Sequence, residues 1–434
     1  MTSAGGGRRG RPLALLVACL LLVGCTPAAA PRGAPAVPVP RLDWPTFRGD
    51  LARDGHPSGA TLTAAAAARL RMAWSVDLGE EVVGSPAVAG GVVVIGTLGG
   101  SLVALNTRLG AEVWRVKGLG PLVGSPSITA GKVVVGSSDS HLYAFDLENG
   151  TRVWDWRAPG DRPALWGGVA VFKGLLVVGL GAQLGMVPAQ AGTLVALDPA
   201  SGDQVWSSCM RAGCGVGDAL TSAPAIDATG HLFVGLGAPD DALLAADVGI
   251  GRTAWQTQLY LDLERGLDVA STPVVLNLAG AEAVGVGGAS GLFALFDAAT
   301  GRLRWSRQVA VGSRGDGVAG SAGSDGDALF IPSAGTPAGI VALSAFDGHT
   351  IWEYRTAEPV FASPAVGAGI LVVGTGSRFG SPARGTLVAL STRDGRLLWS
   401  VETGAAGLSS PAIVGESVYA ADRTGVLSAF RPGP

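Results

Sequence analysis

The sequence predicts an all-β chain: an eight-bladed β-propeller of four-stranded antiparallel blades, the last blade closed by the N-terminal strand. Three observations predict it. A ten-residue motif ending in Trp recurs seven times, with a glycine four residues before each Trp. Between the copies lie short runs of Val, Ala and Leu, each of strand length and separated by Gly-containing turns. The 68 glycines follow no collagen-like period, and a chain 48% hydrophobic and 15% charged has ample apolar material for a large core.

The first 24 residues stand apart from the fold. Arg8, Arg9 and Arg11 precede an apolar run from Leu13 to Val23 that is too short for a stable membrane span. The run ends in Leu22-Val23-Gly24-Cys25, which resembles a bacterial lipobox. The resemblance implies cleavage before Cys25, lipidation of its thiol and attachment to a membrane through the acyl chains. The other reading is an ordinary signal peptide with an incidental cysteine. Residues 25–43 then read as an Ala/Pro-rich tether, and the propeller is expected over 44–434. Such a chain is exported and lipid-anchored at the cell envelope. In a host with an outer membrane it faces the periplasm from that membrane; otherwise it sits on the outer face of the cytoplasmic membrane. Thr26 is not the Asp associated with inner-membrane retention.

Cleavage removes three arginines and no acids, so 28 basic residues face 34 acidic ones, about −6 in net charge. No basic run appears, which argues against a nucleic-acid partner. With Cys19 in the signal and Cys25 lipidated, Cys209 and Cys214 remain. In an oxidising compartment they suit a small disulfide loop, with two free thiols as the alternative.

After the tether, TLTAAAAARL (61–70) suits one or two helical turns capped by Thr61 or Thr63, and RMAWSVDLG (71–79) carries a lone strand with Trp74. The repeats follow: LNTRLGAEVW, FDLENGTRVW, LDPASGDQVW, ADVGIGRTAW, FDAATGRLRW, LSAFDGHTIW and LSTRDGRLLW, ending at Trp114, Trp154, Trp206, Trp255, Trp305, Trp352 and Trp399. Each is preceded by an opening such as SPAV (85–88), SPSI (125–128) or STPVV (271–275), with weaker forms at GGVAV (167–171) and GSAGS (320–324). Residues 85–114 divide into four strands, the signature of one blade. An eighth copy, LSAFRPGP, stops before its Trp, and Trp74 supplies the missing strand from the other end. Sharing the last blade between the termini closes the ring and leaves no open sheet edge between blades. In these turns an Asp or Asn binds nearby N–H groups and the Gly takes a left-handed conformation. Asp198 and Gly202 are therefore turn residues, and Trp206 packs against the neighbouring blade.

Strand direction alternates, so blade-to-blade links and the turns between second and third strands share one face. The insertions fall there: 181–192, 207–221, 256–270, 308–320 and 374–385. Long loops on one face of a rigid ring mark a binding face for a protein partner or small ligand.

The motif Ala-x-Asp-x-x-x-Gly-x-x-x-Trp, together with WPTFRGDLARDG (44–55), resembles the pyrroloquinoline quinone (PQQ) repeat family over residues 44–430. That family includes PQQ- and calcium-dependent alcohol and polyvinyl-alcohol dehydrogenases, and non-enzymatic lipoproteins like BamB, so the resemblance implies fold more than function. Residues from about 160 to 330 look closer to the dehydrogenases. In those enzymes a Glu in Gly-Ala-Glu-x-Gly and an Asn in Thr-Gly-Asn bind calcium, and a following Asp acts as base or ligand. The matching positions here hold Gln183 in GAQLG and Ala238 in LGA. Calcium wants oxygen ligands, preferably anionic; Gln183 offers a neutral carbonyl and Ala238 nothing. Asp240 and Asp241 are the candidate bases, and Gln183, Asp268, Trp166 and Arg378 the candidate cofactor contacts. The sequence has neither an adjacent cysteine pair nor a haem-attachment motif, and its four histidines show no motif spacing. The expectation is a lipid-anchored binding or scaffolding propeller; the alternative is a PQQ-dependent dehydrogenase with an altered metal site.

Overall fold

The computed structural model of the chain describes residues 43–57, 59–160, 165, 167–181, 191–220, 222–260, 267–377 and 384–434. These form eight four-stranded antiparallel sheets. The first strand, Leu70–Asp77 (β1), belongs to the last blade. It pairs with the final strand, Val426–Pro432, from Leu70 opposite Pro432 to Asp77 opposite Val426. The ring is closed by hydrogen bonds between the two ends of the chain.

Blade 1 sets the pattern: Ala87–Ala89 (β2) innermost, then Val92–Gly96 (β3), Leu102–Asn106 (β4) and Glu112–Val116 (β5) at the rim. Strands β3 and β4 are nearly continuous aliphatic runs and almost wholly buried, because a neighbouring blade covers each side. In strand β5 only Trp114 is buried, so it reads as polar with one large anchor. The same pattern hides the outer strands of later blades in the sequence. The stretches beginning at 207 and 256 look like loops, yet Gln204–Cys209 and Thr253–Gln258 are strands, with Cys209 paired to Thr193 and Gln258 to Ala242. The loops on that face are shorter than the sequence suggests.

Each Trp clamps its blade to the next. The ring of Trp154 lies over Gly202, where an added Cβ would come within 2.8 Å of it, and its Nε1 donates to Pro199 O at 3.2 Å. Gly202 has φ 80°, its N–H bonds Asp198 O at 2.8 Å, and Asp198 Oδ1 accepts the Ala200 and Ser201 N–H groups. Trp74, Trp114, Trp255, Trp305 and Trp352 repeat the Nε1-to-turn-carbonyl bond on their own neighbours. Trp206 packs over Gly251 in the same manner, but its buried Nε1 meets no acceptor among the described residues. Burial decides which term matters: about 200 Å² of ring at ~25 cal/mol/Å² is worth about 5 kcal/mol, against about 1 for the hydrogen bond. Trp399 faces the blade whose outer turn is replaced by the chain ends, and it packs edge-on against Phe430 at 5.2 Å.

The helix expected near residue 64 is Ala64–Ala67, capped by Thr63, whose side chain accepts the Ala66 N–H. No helix of the described residues is long and apolar enough to cross a membrane.

Candidate functional site

The segment 44–55 circles the axis. Trp44 pairs with Val88 in blade 1, Pro45 O accepts Ile128 N–H in blade 2, and Leu51 O accepts Ile226 N–H in blade 4. Ala52, Asp54 and Gly55 do the same for Val275, Ser324 and Val366 in blades 5, 6 and 7. Blade 3 is reached by side chains: Thr46 Oγ1 and Arg53 Nη2 both donate to Val169 O.

Two arginines hold this plug. Arg48 and Arg53 are 1% and 0% exposed, and their guanidinium groups are ringed by carbonyl oxygens. Arg48 donates to Arg53 O, Asp54 O, Ala322 O and Pro364 O; Arg53 donates to Phe47 O, Val169 O, Pro224 O and the Thr46 hydroxyl. Burial lowers both to about 10, which leaves them cationic at neutral pH. Burial and the neighbouring Asp50 charge push the Asp54 carboxyl up to about 7. Gly55 has φ 70°, and a Cβ there would overlap the Arg48 guanidinium.

Above the plug, on the long-loop side, hydroxyls ring the axis. The Ser410 N–H bonds the Ser85 hydroxyl, and the Ser85 N–H bonds that of Ser125, both at 2.9 Å. On the far side the N–H groups of Ala223, Thr272, Ser321 and Ser363 bond the hydroxyls of Thr272, Ser321, Ser363 and Ser410 in turn. The ring is interrupted at Gly168 and Ala223, in blades 3 and 4, which have no hydroxyl to offer. With Phe47 as its floor it bounds a cavity of about 100 Å³, below the ~300–1,000 Å³ usual for a small-molecule site. The described lining is hydroxyl, glycine and apolar side chains, with no cation.

On the same face, the loops of blades 3, 4 and 5 gather acids. Asp218 is fully buried; its Oδ1 accepts the Asp240 N–H at 3.3 Å and its Oδ2 has no hydrogen-bond partner among the described residues. Burial, then the Asp240 charge, raises the Asp218 carboxyl. Asp240 Oδ2 accepts from Gln256 at 2.8 Å, and Asp268 Oδ1 accepts the Ala238 N–H at 3.1 Å. Asp241 is fully buried at φ 40°. Tyr260 donates to the carbonyls of Leu267 and Asp268, its hydroxyl held neutral by burial and by the charges of Asp241 and Asp268. Cys209 and Cys214 form a disulfide at the base of the neighbouring loop.

Ala238, Asp240, Asp241 and Asp268 are therefore neighbours, and Asp218 and Tyr260 join them without any sequence signal. Gln183, Trp166, Arg378 and Cys25 lie outside the described residues. Among the described residues no three His, Cys, Asp or Glu side chains are grouped to hold a metal ion. PQQ is a planar tricyclic quinone with three carboxylates; the described lining of the cavity holds no cation, and three of the four residues expected to contact the quinone are not among the described ones.

A closed eight-bladed ring of Trp-clamped blades, plugged along its axis, defines a PQQ-type propeller. The family described as outer membrane protein assembly factor BamB matches residues 58–234, 155–319 and 294–433, and the chain belongs to it. No curated protein matches the sequence. Among solved structures, a europium-containing methanol dehydrogenase superposes with TM-score 0.76 at 15% identity, covering 90% of this chain and 98% of its own. Quinohemoprotein alcohol dehydrogenase from Comamonas testosteroni gives 0.75 at 17%, covering 90% and 81%. BamB from Moraxella catarrhalis gives 0.64 at 18%, covering 83% and 97%. At these identities the likeness concerns the fold.

Proposed function

We propose that the chain is an exported lipoprotein, anchored through Cys25 at the cell envelope, whose propeller is a binding or scaffolding module. Its long-loop face engages a protein partner or small ligand. The observation that carries the reading is the pairing of that looped face with a narrow axial cavity whose described lining carries no charge. Loops built from buried acids and a disulfide make a shaped rim, and a rigid ring holds the rim still. The Asp218, Asp240 and Asp268 carboxylates take backbone or amide N–H groups, work that suits holding loops better than proton abstraction.

The dehydrogenase reading is favoured by the likeness of the fold to quinohemoprotein alcohol dehydrogenase and to a europium-containing methanol dehydrogenase. It needs Gln183, Trp166 and Arg378 to hold PQQ, and Asp240 or Asp241 as base. Photo-crosslinking in the native host separates partner binding from passive anchoring. A photoreactive residue at Val216 or Val311, both exposed on the long-loop face, is expected to capture a discrete partner, and one at Thr300, exposed on the opposite face, is not. Equal capture from both faces, or none from either, contradicts the scaffold reading.

A further inference from the structure

The face opposite the long loops carries a pattern of its own. Twelve large apolar side chains are exposed among the described residues, and ten of them lie in the outer turns or at the first residues of outer strands. Leu109, Ile250 and Phe346 occupy the turns; Val153, Leu303 and Met72 illustrate the strand positions. Every blade contributes at least one, so they form an apolar ring around the short-turn face. Among the described residues the long-loop face has two, Val216 and Val311. Single exposed aliphatics are ordinary; at least one in every blade on the same face is not.

The chain joins the propeller at that same face. Trp44 runs antiparallel to Val88, next to the turn that ends β2, so Asp43 points toward the short-turn side. The segment leaves there as well, with Thr61 N–H on Gly415 O and Thr63 paired to Ala368, both in short turns. Cys25 precedes Asp43 by 18 residues, a reach of at most about 60 Å. Charges of both signs alternate between the apolar groups, as at Arg108 and Glu112, or Arg302 and Asp297, so the face has no dominant charge.

We infer that the short-turn face lies against the lipid surface carrying the anchor, its apolar ring in contact with the headgroup region, and that the long-loop face points away from the membrane. The inference rests on the lipoprotein reading above. Tether and apolar ring act together: the acyl chains hold the chain at the surface and the ring selects the face. Because the charges alternate, zwitterionic lipid suffices and salt has little effect.

The test uses the full acylated chain in phosphatidylcholine vesicles, with Cys25→Ser in solution as reference. Phe346→Cys and Val311→Cys are labelled separately with a membrane-impermeant maleimide; both positions are exposed, so neither substitution disturbs the core. Labelling at 346 is expected to slow by about five-fold or more on vesicles, while labelling at 311 stays within about two-fold. Equal rates at both positions, or slowing at 311, overturn the inference and leave the anchor standing. Slowing at 346 in the soluble reference as its concentration rises assigns the face to a second copy and also overturns it. An unacylated Cys25 by mass spectrometry, in a chain that does not float with vesicles, overturns the anchor and the inference together.

Discussion

Asp198, Ser201 and Gly202 look like a site in isolation and act as a turn. Seven-fold recurrence identified them, and the structure adds why glycine is required: Trp154 occupies the space of a side chain. Gly202→Ala should cost about 1–3 kcal/mol through φ 80° and the ring contact, and Asp198→Ala about 1, both read from denaturant midpoints. Arg48 and Arg53 show the opposite case. A sequence pattern places arginines at the surface, and nothing in WPTFRGDLARDG announces that inner-strand carbonyls converge on them. Arg48→Met should destabilise by a few kcal/mol, because those carbonyls lose their charged donor. Asp54 gives a pH signature. Its carboxyl rises from 3.8 to about 7 on folding, so the folded state holds its proton longer. That contribution is full below about 4 and is lost as pH rises through about 7. Asp54→Asn should flatten this part of a stability-versus-pH curve; an unchanged slope counts against the burial argument.

Strands with a repeated apolar core were legible one by one; the outer strands were not. Serine-rich stretches such as 207–209 carry no alternation because one edge and much of the outer surface face water, and pairing to Thr193–Leu197 makes them strands. The Ser-Pro openings were visible as repeats, but their purpose emerges from the circle: each hydroxyl takes the N–H of the preceding blade. Ser363→Ala leaves the buried Ser321 N–H without its acceptor and should cost about 1–3 kcal/mol. A loss no larger than that of an exposed serine, such as Ser201→Ala, would show that the ring contributes nothing. The acids of the blade 4 loop were named in the sequence, yet Asp218 was not, since its partner Asp240 lies 22 positions away.

The closed ring is the property most fully written in the sequence, because an eighth motif without a Trp and a lone N-terminal Trp strand can be reconciled only by joining them. The axial plug doubles that closure by tying blades 1 to 7 through one short segment. What the ring does was far less legible: repeats specify blades, and function resides in loops that differ from blade to blade. The central claim is that this propeller binds without quinone chemistry. Isothermal titration of the purified mature protein with PQQ and Ca²⁺, followed by dye-linked alcohol oxidation on the same sample, tests it most directly. The account predicts no saturable quinone binding in the micromolar range and no turnover; micromolar binding accompanied by turnover contradicts it.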